Sequence, residues 1–304
     1  MKNKYSVVVF AHNISGKIGC CIKHIFANTI DADVYIIANG CSDATEQVVK
    51  ELQSNHNNLH LVSLPIADKA NAWNHYIYNV ATTKALHFFI DGDITIEKDA
   101  LSNIIKTVEG NPEVNIIGGV PIVGRDKEGW SQRMKFYGRV SGGLYALQDH
   151  FIKNIKKHSI KMPIGFIGDD FLVSGLAKNM LDFSRFNLAN SKLIIDELAG
   201  FSFQQVSYLR MSDYFMYFKR LIRYRIRDYQ LLMLNNLFVK YKATKIPMSV
   251  YELYDNSNDS VNYYWRGRMT IFDWIAVFTI RNQLFKKRKT AELEEVTKQP
   301  TKFR

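Results

Sequence analysis

Leu86-His87-Phe88-Phe89-Ile90-Asp91-Gly92-Asp93 decides how this chain reads. A mainly apolar run of five describes a strand buried on both faces, and two carboxylates follow where it ends. In open α/β sheets the ligand crevice lies outside the carboxyl ends of the strands, so Asp91 and Asp93 fall where a ligand would sit. Gly92 between them has no side chain, which leaves both carboxylates able to approach a divalent cation and a diphosphate it carries. Oxygen donors of this kind suit Mg²⁺ or Mn²⁺. A turn closing the strand is the plain structural alternative, and the tripeptide alone does not separate the two.

On either side of this run, strand and helix signals alternate. Strands are predicted at 5–10, 34–38, 59–64, 86–90 and 114–120, and helices at about 16–27, 44–53, 69–80 and 98–109. Ser42 or Asp43 is placed to cap the second helix, and Glu109-Gly110-Asn111-Pro112 stops the fourth. This alternation predicts an α/β fold with a doubly wound, mainly parallel sheet flanked by helices. Beyond Gly119 the pattern loosens. Further strands are expected at 140–147 and 192–198, a helix at 171–178, a long aromatic and basic helix at 214–241, a loop at 255–260 and a last helix at 270–289. The expected organisation is a catalytic domain over 1–200, a helical basic extension over 201–289 and a solvated tail over 290–304. Within the first, the regular alternation covers 1–120 and the looser pattern 121–200.

Composition sets outer bounds. The 304 residues, 47% apolar and 23% charged, suffice for a core that shapes a pocket. Cys20, Cys21 and Cys41 are odd in number and show no C-x-x-C spacing, which favours a reducing cytoplasm and no zinc site. The N-terminus lacks the core of a signal peptide. No run is apolar for long enough to span a membrane, the longest candidate, 271–280, being interrupted by Asp273. Charge is unevenly placed: 201–289 holds 16 Lys+Arg against 6 Asp+Glu, a net of +10 within a chain total of +11. That asymmetry points to a face that meets phosphates.

Three strand ends carry polar residues: Ala11-His12-Asn13, then Asn39-Gly40-Cys41-Ser42-Asp43-Ala44-Thr45, then Asp91-Gly92-Asp93. In a parallel sheet these ends share one edge. Asn39 and Asp43 suit a base or ribose, with the amide-rich start of the next helix pointing the same way. A turn and N-cap is the competing reading of Asn39 to Asp43. His12, Cys20, Cys21 and His24 mix a strand end with a helix and read as incidental, and Gly16-Lys17 lacks the spacing of a phosphate-binding loop.

These blocks, with Lys69-Ala70-Asn71-Ala72-Trp73-Asn74, resemble family 2 glycosyltransferases in order and spacing over about residues 5–110. Gly142-Gly143 and Gly168-Asp169-Asp170 extend the likeness to about residue 180. The resemblance implies the GT-A fold and inverting transfer of a hexosyl group from a nucleotide-diphospho-sugar, with Mg²⁺ or Mn²⁺. It implies that Ala11, His12, Asn13 and Asn39 border the nucleotide and that Asp43 holds its loop or contacts the nucleoside. Lys69 should lie near the base or diphosphate, Asp93 should bind the metal, and Asp91 should contact ribose or a metal-bound water, with Gly92 between them. Asp170 matches the family's general base and Asp169 its acidic neighbour. Attack on an anomeric carbon does need a group to take the acceptor's proton, and a second carboxylate beside that group makes it a better base. A helix N-cap is the alternative role for Asp169-Asp170.

The chain departs from the family at several points. Ala38 stands where many members carry an acidic residue, Asp68 stands where glycine is common, and Asp169 replaces a glutamate. The Q-x-x-R-W signature of processive synthases is missing, the nearest text being Gln205-Val206-Ser207-Tyr208. Transfer of one sugar per encounter is therefore expected, to a glycan or lipid-linked acceptor of cell-envelope assembly. A sugar-phosphate nucleotidyltransferase and a non-catalytic GT-A-like binding protein are the rivals.

In the basic third, Arg220, Arg223 and Arg227 share one helical face. Arg223 and Arg227 either meet the diphosphate or lie on a solvated face. The apolar and aromatic residues of 271–285 precede Lys286-Lys287-Arg288-Lys289. That pattern reads either as a peripheral anchor on the anionic inner face of a membrane or as a helix packed on the protein. No nucleic-acid-binding module is recognised.

Overall fold

The computed structural model describes residues 3–28, 30–179, 181–182, 192–204, 211–256, 267 and 270–283. Gln205 to Tyr208, most of the expected 255–260 loop, residues 284–289 and the tail 290–304 lie outside them. The chain divides into two compact units, Met1–Gln205 and Val206–Arg304.

The first unit is built on one eight-stranded sheet: β1 (Tyr5–Ala11), β2 (Ala32–Asn39), β3 (Leu59–Leu64), β4 (Leu86–Asp91), β5 (Ile94–Ile96), β6 (Ile116–Pro121), β7 (Leu144–Gln148) and β8 (Leu193–Phe203). Their order is β3-β2-β1-β4-β7-β6-β8-β5. The first four are mutually parallel, paired Ala11 to Ala38 and Phe10 to Asp91 at their carboxyl ends. The chain moves outward from β1 through β2 to β3 and then returns to β1's other side with β4. That reversal makes the β1/β4 boundary a topological switch point, the place where open sheets bind ligands.

The second half of the sheet is mixed. β7 runs antiparallel to both β4 and β6, whereas β8 runs parallel to β6. Short β5 pairs antiparallel with β8, closing the far edge. Three residues are too few for a periodic signal, which is why the sequence does not announce β5.

Helices cover both faces because adjacent strand residues point opposite ways. On one face Val7, Val9, Ile36, Phe88 and Ile90 pack with Ile18, Ile22 and Ile25 of α1 (Ser15–Ala27), Val49 of α2 (Thr45–Gln53) and Leu101 and Ile104 of α4 (Ala100–Glu109). On the other, Phe89 contacts Trp73 of α3 (Lys69–His75), Tyr76 and Tyr145. The expected helix over 69–80 changes character midway: Tyr76–Val80 is a π-helical turn. α5 (Lys127–Tyr137) and α6 (Asp149–Lys157) are additions to the predicted elements, and α7 (Asp169–Lys178) begins at the acidic pair itself. The amphipathic spacing of Phe151, Ile152 and Ile155 makes α6 readable in retrospect. α5 buries only Met134 and carries no such signal.

The described part of the second unit contains α8 (Met211–Asn235), a π-helical turn (Asn236–Lys240), α9 (Val250–Asp255) and a helix over 270–283. Asp255, expected in a loop, ends α9, which Ser249 caps by accepting from Glu252 N. Among the described residues no helix is long and apolar enough to cross a membrane.

Candidate active site

Four segments converge on the β1/β4 edge. At the end of β1, Asn13 adopts the left-handed region (φ 51°), and its Oδ1 accepts from Ser42 N (2.8 Å) and Asp43 N (3.3 Å). Asp43 accepts from Ser15 N and Thr45 N, each at 3.0 Å, and from the Thr45 hydroxyl. These hydrogen bonds, Thr45's first, hold the Asp43 carboxyl well below the usual carboxylate range. Ala44 occupies the N-cap position of α2, so Asp43 acts one residue earlier, tying the α1 and α2 starts together. His12 Nδ1 lies 2.8 Å from Asn39 O. Asn39 is buried, and its Nδ2 donates to Ala11 O at 2.9 Å, a stitch between the ends of β1 and β2.

Asp91 ends β4 next to β7, with its amide 3.3 Å from Gly143 O. The approach at Gly142 is tight: a Cβ there would stand 3.0 Å from Lys69 Nζ and 3.2 Å from Asp91 Oδ2. Gly92 is the more constrained of the two, since a Cβ would lie 2.6 Å from Ile14 Cδ1 and 2.9 Å from the backbone Phe10 O. Asp93 is exposed, and it accepts no hydrogen bond and forms no ion pair with any described residue.

Lys69 joins the two halves. Its Nζ lies 2.6 Å from Asp91 Oδ1 and 2.8 Å from Asp169 Oδ2, and 5.6 Å from the centre of the Phe10 ring. Burial pulls the Lys69 ammonium down, but Asp169 and Asp91 together outweigh it and hold its pKa well above that of an ordinary lysine. Burial pushes the Asp91 carboxyl up to about 6 against the attraction of Lys69, and the negative charges of Asp169 and Asp93 add to the rise.

The acidic pair reaches Lys69 through contacts that sequence reasoning missed. Asp68 caps α3 by accepting from Asn71 N at 2.6 Å, and its other oxygen accepts from Gly165 N at 2.7 Å. Asn74 exchanges two hydrogen bonds with the Met162 backbone, both 2.8 Å. α3 thereby holds 162–165, the approach to Gly168 (φ 130°) and the start of α7. Asp68 is the residue that stands where the family commonly has glycine; the only sequence signal for its role was its N-cap position. At the start of α7, Asp169 is buried, while Asp170 is half-exposed and its Oδ1 accepts from Phe171 N at 2.8 Å.

Ala11, His12, Asn13, Asn39, Asp43, Lys69, Asp91, Gly92, Asp93, Asp169 and Asp170 thus belong to the strand ends, loops and helix starts at one sheet edge. Arg223 and Arg227 lie on α8, in the second unit. Among the described residues no three His, Cys, Asp or Glu side chains form a metal cage. The donor set at this edge suits another mode, in which one or two carboxylates hold Mg²⁺ or Mn²⁺ together with a substrate's phosphates. His24 Nδ1 is set against Ile96 O, and Cys21 is buried in the core, where burial raises its thiol pKa.

The fold, an α/β sheet flanked by helices with carboxylates at its switch point, is that of GT-A glycosyltransferases. The profile described as Glycosyl transferase family 2 matches residues 6–171, more than half the chain, and the chain belongs to that family. Among solved structures it is similar to the mannosyltransferase PcManGT from Pyrobaculum calidifontis in complex with GDP-Man and Mn²⁺ (16% identity, 92% of this chain and 74% of that one, TM-score 0.58). It is also similar to S. aureus TarS 1–349 in complex with UDP-GlcNAc (12% identity, 94% and 92%, TM-score 0.52). A third is glucosyl-3-phosphoglycerate synthase from Mycobacterium tuberculosis in complex with Mn²⁺, UDP-glucose and phosphoglyceric acid (16% identity, 77% and 79%, TM-score 0.51). No curated protein sequence matches the chain significantly.

Proposed function

We propose that the protein transfers a single hexosyl group, with inversion, from a nucleotide-diphospho-sugar to a hydroxyl of a glycan or lipid-linked acceptor. The observation that carries this reading is Lys69, which ties Asp91 at the switch point to Asp169 at the start of α7. In this reading it joins the diphosphate-side carboxylate to Asp169, the neighbour of the base.

In this mechanism Asn13 and Asp43 fix the loop that borders the nucleotide. Asp93, with Asp91, would hold Mg²⁺ or Mn²⁺, and Lys69 adds positive charge at the diphosphate. The metal, when bound, offsets charge on the departing nucleoside diphosphate. Asp170 takes the proton of the acceptor hydroxyl as its oxygen attacks the anomeric carbon opposite the leaving group. Asp169, paired with Lys69, seats the start of α7. Nucleotide-sugar and Mn²⁺ binding by the mannosyltransferase and the phosphoglycerate synthase supports the same assignment.

A thermal-shift screen of nucleoside diphosphates with and without Mn²⁺ tests the donor site. A matching nucleotide about a hundredfold above its Kd should raise Tm by roughly 5–10 °C. Asp93→Ala should remove the metal-dependent part. Asp170→Asn should keep the shift but lower nucleoside diphosphate release by about 10²–10⁴-fold. No shift with any nucleotide would overturn the enzyme reading, and full activity of Asp170→Asn would overturn the base.

A further inference from the structure

The helix over 270–283 is apolar on two sides. Ala276, Val277 and Ile280 are buried together with Asp273, a helically spaced set that marks the packed face. Ile271, Trp274 and Phe278 repeat at i, i+3 and i+7 and remain 54%, 52% and 68% exposed. They form a second stripe, turned to water. At its flank Phe272 meets Phe218 of α8, with ring centres 5.2 Å apart, and Tyr217 and Phe218 are themselves exposed. Lys219 and Arg220 follow directly on α8 and are also exposed. In sequence, Lys286-Lys287-Arg288-Lys289 comes just after the helix.

We propose that this face of the second unit docks on an anionic lipid bilayer. Ile271, Trp274 and Phe278 enter the boundary between headgroups and acyl chains, and Lys219 and Arg220 beside them meet the anionic headgroups. Large apolar side chains beside Lys and Arg are the composition such a surface selects. A second copy of the chain fits less well. Two faces from a segment of net +10 repel each other. Three half-exposed side chains also fall well short of the roughly 800 Å² per partner that a stable protein interface buries. The packed face shows that the helix belongs to the fold, so binding needs no refolding and only the outer stripe is engaged.

Flotation of the full chain with phosphatidylcholine vesicles, with and without phosphatidylglycerol, tests the proposal. Binding is expected only with phosphatidylglycerol, and it should weaken as salt is raised. Replacing Ile271, Trp274 and Phe278 together by Ser should lower vesicle affinity at least tenfold while leaving Tm nearly unchanged, because all three are surface residues. Replacing Lys219 and Arg220 by Gln should lower it by about thirtyfold at low salt. Quenching of tryptophan fluorescence by brominated phosphatidylglycerol gives a second readout that a folding defect cannot mimic, and Trp274→Phe should remove most of the quenched signal. The proposal is overturned if the wild-type chain does not float with phosphatidylglycerol. It is equally overturned if the serine variant floats like the wild type. A concentration-dependent dimer that the serine variant abolishes, without vesicle binding, would assign the stripe to a second copy instead.

Discussion

Lys69 is the residue on which the site turns. It holds Asp91 and Asp169 within 3 Å of one ammonium. Lys69→Met should cost about 2 kcal/mol near neutral pH, less than the 3–5 of a fully buried pair because Asp91 keeps a third of its side chain exposed. Chemical denaturation would measure it, and the loss should shrink below about pH 6, where Asp91 takes a proton. Lys69→Arg should recover most of the stability but less of the turnover, since a guanidinium cannot occupy the same point between two oxygens. A Lys69→Met protein as stable as the wild type at pH 8 would remove Lys69 from the centre of the site. The sequence marked Lys69, Asp91 and Asp169 as candidates through their family-like blocks. It did not pair them, because their contact depends on strands and helices far apart in the chain.

At the level of elements, β7 and α3 do the positioning. β7 slots antiparallel between β4 and β6 and brings Gly142-Gly143 beside Asp91. A Cβ on Gly143 would stand 2.4 Å from the Phe201 ring, so Gly143→Ala should destabilise by about 1–3 kcal/mol through overpacking. Gly16, inside α1 with nothing within 4 Å of its virtual Cβ, gives the opposite expectation: Gly16→Ala should stabilise by about 0.5 kcal/mol through helix propensity. Urea unfolding of the two variants checks both signs. The parallel strands were legible because alternating Val, Ile and Phe runs between short helices leave little choice of fold. The antiparallel insertion of β7 was not, because a buried strand reads the same in either direction. α5 escaped notice for the reverse reason: a helix that buries one apolar residue leaves almost no periodic trace.

For the molecule as a whole, acid stability should be governed in part by His87. It is a fully buried residue of β4, with Nδ1 2.7 Å from the Tyr76 hydroxyl, and burial lowers its pKa to about 4 despite the pull of Asp149. An unfolded histidine titrates near 6.5, so between these values the unfolded chain binds more protons. Stability contributed by neutral His87 is therefore complete above about pH 6.5 and is lost as pH falls toward 4, by roughly 3 kcal/mol at most. Equilibrium unfolding at pH 7 and pH 4.5 should show a smaller acid loss for His87→Gln than for the wild type; an unchanged slope would assign the acid sensitivity elsewhere. By itself the sequence determined the α/β alternation, the family and the identity of the polar residues at the strand ends, since local periodicity and motif order carry that information. Only the tertiary structure decided that Lys69 bridges the two acidic groups, that Asp68 and Asn74 seat the segment leading to α7, and that the helix over 270–283 shows an apolar stripe to water. Each of these is a contact, or the lack of one, between distant segments, and local sequence preference has no term for it.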